Sequence, residues 1–198
     1  MKRLIFATHN TGKVREMQQL LSDMDIHVLS AEQAGILEDV EEDGETFEQN
    51  ALKKARFVAS KSQEWSVGDD SGITIDALGG RPGIFTARWA GEGASDEQLI
   101  DHTLDQLKEV QERDRGASFY SVIALVSPQG EEYLFEGVVE GDVTLEPRGQ
   151  HLPKLPYDVI FQPKGFEQTF GEMSEQEKNQ LSLRGRAFEK LKLFLRTK

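Results

Sequence analysis

The spacing of apolar and polar residues changes period repeatedly along the chain, and each change predicts an element. Leu4 to Ala7 form a short apolar run that stops at Thr8-His9-Asn10-Thr11-Gly12, the pattern of a buried strand entering a turn. Val14, Met17, Leu20, Leu21 and Met24 then recur at helical spacing, so a helix should begin near Gly12. Ile26 to Leu29 predicts a second strand. Thr46-Phe47-Glu48-Gln49 has the form of a capping box opening a helix that runs to about Ser62. Trp65 to Gly68 reads as a strand ending at Asp69-Asp70-Ser71-Gly72, with Ile73 to Leu78 as another, and Gly79-Gly80-Arg81-Pro82-Gly83 as a loop.

A second box, Ser95-Asp96-Glu97-Gln98, opens a helix carrying Ile100, Thr103, Leu104, Leu107 and Val110 on one side. Phe119 to Val126 and Glu132 to Val139 flank the turn residues Ser127-Pro128-Gln129-Gly130, a hairpin signal. Asp158 to Phe161 reads as a strand end. Ser174-Glu175-Gln176-Glu177 is a third box, and Phe188, Leu191 and Leu195 mark a terminal amphipathic helix. With no repeat, linker or compositional break, residues 1–198 read as one domain mixing strands and helices, α/β or α+β.

Composition narrows the function. The 198 residues carry 35 Asp+Glu against 23 Lys+Arg, a formal charge of -12, whereas binding to duplex nucleic acid rests on a basic surface. An anionic membrane surface is disfavoured for the same reason, and no apolar run approaches the about 18 residues of a spanning helix. The basic start at Lys2-Arg3 leads into too short an apolar run for a signal peptide. Absence of cysteine removes disulfides, thiolate nucleophiles and Cys-ligated metals together, and a cytoplasmic address is compatible with it.

Three constellations bear chemistry. Thr8-His9-Asn10-Thr11-Gly12-Lys13 places a polar turn and a lysine at a helix start, where backbone N–H groups and the helix dipole favour an anion; an ordinary turn capped by Asn10 would give the same pattern. It is not a Walker A loop, which needs Gly at Ala7 and Ser/Thr at Val14. Asp69 and Asp70, at a strand tip, suit a hard divalent cation such as Mg²⁺, and such a carboxylate can take a proton from water; Asp-Ser-Gly is equally good turn chemistry. Seven acidic residues between Glu38 and Glu48, with no basic one, form either a solvated loop or a source of a second metal carboxylate, Glu41 or Glu42. Lys53 and Lys54 on the following helix either face solvent or neutralise phosphate. Jointly these features point to a polyphosphate substrate.

Other chemistries fit poorly. His9, His27, His102 and His151 show no metal-ligand spacing and read as surface or turn residues. There is no Gly-x-Ser-x-Gly elbow, and Gly91-Glu92-Gly93 fails the dinucleotide fingerprint because Asp96 stands at the third glycine. Trp65 and Trp89 read as core or pocket-wall residues.

These segments, in this order, resemble the inosine triphosphate pyrophosphatase family nearly end to end. The match includes Thr8 to Lys13, Glu41-Glu42-Asp43-Gly44, Thr46-Phe47-Glu48-Gln49-Asn50-Ala51-Leu52-Lys53-Lys54-Ala55, Asp69-Asp70-Ser71-Gly72, and Leu78 through Glu92. The resemblance implies an elongated α/β fold with a mixed sheet and two lobes around a nucleotide cleft, usually a homodimer. It implies Mg²⁺-dependent cleavage of a nucleoside triphosphate between its α- and β-phosphates. Family substrates are the deaminated purine nucleotides ITP, dITP and XTP, removed from the nucleotide pool.

Carried over by position, Thr8, His9, Asn10, Thr11, Gly12 and Lys13 would cradle phosphates, with Lys13 the main cation. Glu41 and Asp70 would hold Mg²⁺, Asp70 also accepting the proton of the attacking water, with Asp69 assisting. Ser71 and Lys54 would contact substrate, Tyr157 and Asp158 the base, and Lys178 and Arg184 the nucleotide.

Departures gather at the base end. Leu155-Pro156 replaces Phe-Gly ahead of Tyr157-Asp158, Leu183 replaces a histidine, and Gln49 stands where Glu is usual. Loss of an aromatic face and of an N–H donor predicts a weakened or shifted base preference. A paralogue acting on another nucleotide, and an inactive nucleotide-binding protein, are the competing readings.

Overall fold

The structure, a computed structural model, describes residues 3–197, the side chains of Glu175 and Asn179 aside. Leu4, Ile5 and Phe6 are fully buried in β1 (Arg3–Phe6), the unbroken apolar run that a strand covered on both faces requires. It pairs in parallel with β2 (His27–Ser30) on one side and with β3 (Trp65–Ile75) on the other. Parallel partners need a crossover, supplied between β1 and β2 by α1 (Thr11–Leu20) and ahead of β3 by α2 (Phe47–Ser62). Next come α3 (Asp96–Gln106), β4 (Gly116–Val126), β5 (Glu132–Val143), β6 (Phe161–Pro163), α4 (Glu175–Leu181) and α5 (Leu183–Leu195). The six strands form one sheet in the order β2-β1-β3-β4-β5-β6, with β5 and β6 antiparallel.

Chain contacts divide the molecule into two compact units. The first comprises the chain up to Ser71, Ser121–Gly137 and the chain from Arg184 onward; the second comprises Gly72–Tyr120 and Val138–Leu183. In the first, alternation along β1 sends Leu4 and Phe6 to one face, where they meet Val14, Met17 and Leu21 with Phe188, Leu191 and Leu195 of α5. Ile5 goes to the other face with Val58 of α2. In the second, Ile73, Ile75, Ile100, Leu107, Tyr157, Ile160 and Phe161 share a core. The buried Arg115 guanidinium donates there to the carbonyls of Leu107, Val110 and Thr144.

Most predicted elements are present, and several boundaries are corrected. Asp69-Asp70-Ser71-Gly72 does not end a strand: β3 runs unbroken from Trp65 to Ile75. β1 pairs with its residues 65–67, and the strand continues past them as the neighbour of β4, so sheet context overrides turn-forming side chains. Asp158 lies in a 3₁₀ turn, Pro156–Val159, and not at a strand end. The Ser95 box is reciprocal, and so is the Ser174 box, closed by Glu177. At Thr46 only half forms: Thr46 accepts from Gln49 N–H, but the Gln49 side chain accepts from Glu45 N–H. His102, expected at the surface or in a turn, is half-buried on α3 with its ring edge-on to Trp89 at 5.2 Å. Among the described residues no helix is long and apolar enough to cross a membrane.

Candidate active site

Asn10 caps α1, its Oδ1 accepting from Gly12 N–H at 2.9 Å and Lys13 N–H at 3.3 Å, while Asn10 N–H donates to Thr8 Oγ1 at 3.1 Å. Both sequence readings of this turn therefore meet. It is a capped βα turn, and its capacity for an anion rests on the Lys13 ammonium and the helix dipole more than on the two N–H groups Asn10 has taken. Lys13 Nζ lies 2.6 Å from Asp69 Oδ2, a carboxylate only 2% exposed. Arg184, on the first turn of α5, aims a solvent-excluded Nε at the same oxygen from 3.9 Å, beyond hydrogen-bond length, and its NH1 reaches Glu16 at 3.4 Å. Two cations from different helices thus share one buried carboxylate.

Alternation along β3 puts Asp70 on the opposite face from Asp69. There α2 approaches the strand closely: a Cβ on Gly68 would lie 2.2 Å from the Ala51 carbonyl oxygen, and Ala51 and Ala55 are fully buried. This contact brings Asn50 to Asp70, the Asn50 amide donating to Asp70 Oδ2 at 3.0 Å, while Ser71 N–H donates to Asp70 Oδ1 at 2.9 Å. Burial pushes the Asp70 carboxyl above the usual carboxylate range; the nearby Lys54 charge and the Asn50 hydrogen bond oppose the shift, and the Glu42 charge adds to it.

The acidic loop is laced to its surroundings. Glu42 pairs with Lys54 at 2.7 Å, Asp43 with Lys53, Glu38 with Lys61 at 3.1 Å, and Asp39 with His9 at 3.0 Å. Lys54, 13% exposed, faces Asp70, whereas Lys53 reaches an exposed carboxylate, which separates the two adjacent lysines. Glu41 is exposed on the loop.

In the second unit, Asp158 is buried and pairs with Lys178. Burial raises its carboxyl, Lys178 and His151 pulling the other way. Tyr157 is buried with its hydroxyl donating to the Thr86 carbonyl at 2.8 Å, and burial raises the phenol strongly. Leu155 is exposed, and Pro156 takes the first position of its 3₁₀ turn, where a missing N–H costs least.

The first unit therefore sets Thr8 to Lys13 and Arg184 about Asp69 and sets Lys54 and the Ser71 N–H about Asp70 on the other face, and the second brings together Tyr157, Asp158 and Lys178. Sequence reasoning passed over Asn50, Glu16 and Gly68 as site residues. The spacing Asn50-x-x-x-Lys54 held a signal, since residues four apart share a helix face.

A donor set for Mg²⁺ can be tested on this geometry. No three His, Asp or Glu side chains gather among the described residues, but Mg²⁺ commonly takes one or two carboxylates plus substrate phosphates. Asp70 meets that need: it is a desolvated carboxylate whose oxygens, among the described residues, accept from the neutral N–H donors of Asn50 and Ser71, with Glu41 and Glu42 on the adjoining loop.

Comparison with known proteins bears on the whole chain. The model of the Ham1 family matches residues 4–194. A protein of Bacillus subtilis named dITP/XTP pyrophosphatase is 42% identical over 98% of both chains. One of the same name from Halalkalibacterium halodurans is 42% identical over 98% of this chain and 100% of its own. A HAM1 protein from Coxiella burnetii has a solved structure that superposes with a TM-score of 0.93 at 38% identity, covering both chains fully.

Proposed function

We propose, from the premise that this chain belongs to the Ham1 family, that it hydrolyses deaminated purine nucleoside triphosphates (ITP, dITP and XTP) to the monophosphate and pyrophosphate. It is an enzyme acting on nucleoside triphosphates, as relatives at this identity are named. The observation that carries the reading is a raised carboxyl, Asp70, beside the Lys54 charge, next along β3 to a carboxylate, Asp69, that holds Lys13 and Arg184 on the other face, in a protein of net charge -12. Clustered cations in an acidic molecule select a compact polyanion over an extended one.

In the proposed reaction water attacks the α-phosphorus, the bond to the bridging oxygen of the β-phosphate breaks, and pyrophosphate leaves. Asp70 accepts the proton of the attacking water, and burial that raises its carboxyl makes it a better base. Lys13, Lys54 and Arg184 offset charge on the phosphate oxygens. Thr8, His9, Asn10, Thr11 and Gly12 shape the turn that presents Lys13, and Ser71 contacts substrate. Glu41 and Asp70 would hold Mg²⁺, which supplies charge neutralisation and orientation of the phosphates. Asp69 would assist from the outer shell of the metal while serving Lys13 and Arg184 as counter-ion. Tyr157 and Asp158 are assigned to the base, and Lys178 to the nucleotide. A homodimer working in the cytoplasm completes the proposal, and light scattering tests its mass.

Measuring pyrophosphate release over ITP, XTP, dITP and the four standard triphosphates, with and without Mg²⁺, tests the activity; no turnover of any would refute it. Asp70→Asn should abolish release in a folded protein, and unchanged release would remove Asp70 from the role of base. A shifted base preference is favoured by the exposed Leu155 beside Tyr157, and Leu155→Phe should then raise the ratio of ITP to standard-triphosphate turnover.

A further inference from the structure

Asn50 is 1% exposed, one of few polar side chains so deeply buried, and the reaction as derived gives it no step. Its amide is spent at both ends. Oδ1 accepts from Gly44 N–H at 2.8 Å, and Nδ2 donates to Asp70 Oδ2 at 3.0 Å. The first contact fixes the orientation of the amide, because only an oxygen can receive the Gly44 N–H; the nitrogen must then face Asp70. Gly44 leaves room for it: a Cβ there would stand 2.6 Å from Asn50 Oδ1 and 2.9 Å from Gln49 Cβ. Gly44 belongs to the stretch bearing Glu41 and Glu42, and Glu42 pairs with Lys54 one helical turn beyond Asn50.

We propose that Asn50 is a positioning residue that locks the acidic loop and the Asp70 carboxylate to each other, so that the loop's carboxylates and the base are set by one buried amide. This rests on the assignment of Asp70 as base. Among the common side chains only a carboxamide of this length accepts from the loop and donates to the strand at once. Aspartate keeps the first contact and turns the second into an apposition of two carboxylates. Leucine loses both. Glutamine is too long for a site closed by Gly44.

Asn50→Asp separates the two arms. Exchange of the Gly44 amide proton, followed by NMR, should stay slow in Asn50→Asp and become fast in Asn50→Leu. Asn50→Asp should lower kcat for the best triphosphate by about 10–100-fold, the scale of a small misplacement of a reacting group, with KM within about twofold of wild type. Should Asn50→Asp fold poorly, the double variant Asn50→Asp/Asp70→Asn restores a donor opposite an acceptor and should regain the lost stability without regaining activity. Fast Gly44 exchange in Asn50→Asp, an unchanged kcat, or a double variant no more stable than Asn50→Asp would overturn the lock. If the wild type hydrolyses no triphosphate, the functional reading falls, while amide exchange and the stability of the double variant still judge the lock.

Discussion

Replacing Gly68 by alanine should strike fold and site together. Gly68 lies in the middle of β3, and its added Cβ would sit 2.2 Å from the Ala51 carbonyl oxygen and 2.9 Å from the Ala55 nitrogen, both on the backbone of α2. No rotamer relieves a clash with backbone, so α2 must retreat by about 0.8 Å to reach the 3.0 Å that real Cβ contacts respect. Carried to Asn50, that retreat stretches its 3.0 Å bond to Asp70 past hydrogen-bond length. Overpacking costs about 1–3 kcal/mol, and a buried hydrogen bond left open about 1–3 kcal/mol more. At about 2–4 °C per kcal/mol for a chain of this size, Tm should fall by about 4–24 °C. Thermal unfolding and pyrophosphate release measured in one buffer decide the matter. A Tm within about 2 °C of wild type would refute the contact, and a large Tm loss with undiminished kcat would refute the link from helix placement to Asp70.

Three further outcomes are expected. Asp69→Asn leaves Lys13 and Arg184 facing a neutral amide where a buried carboxylate stood; urea unfolding should show a loss of about 1–3 kcal/mol, and retained stability would show that the cations need no counter-ion. Ser95→Ala removes the reciprocal cap of α3 and should cost about 1 kcal/mol, read as a fall in Tm of about 2–4 °C; no shift would mean that the box contributes nothing. For Asp158 the folded carboxyl is raised, burial outweighing Lys178 and His151, so the protonated form is favoured on folding. Its contribution is present below the unfolded value of about 3.9 and is lost as pH rises through the folded one. The stability of wild type relative to Asp158→Asn should therefore decline as pH rises above about 3.9 and through the raised folded value, and a rise would reverse the assigned direction.

Local chemistry was legible wherever a few neighbouring residues decide the outcome. The periodic runs located β1, α1, α2, α3 and the terminal helix, and the Ser95 and Ser174 boxes read correctly because a cap involves residues three apart. The ordered segments from Thr8 to Glu92 pointed to a family that the match over residues 4–194 supports. The Asp-Asp-Ser-Gly segment misled, since isolated turn chemistry carries no record of the sheet in which the strand continues.

Sequence by itself determined the net charge, the absence of thiol chemistry and the inventory of acids and cations. Tertiary structure decided their partners. The contact of Gly68 with Ala51 places Asn50 and Lys54 over Asp70, and a separation of 115 residues closes when Arg184 meets Asp69. Adjacent in sequence, Asp69 and Asp70 point to opposite faces of β3, one held by cations and one by amides. The physical reason is the two-residue period of a strand: it separates neighbours by a whole sheet, and only packing on each face decides which carboxylate is held by cations and which is desolvated against amides.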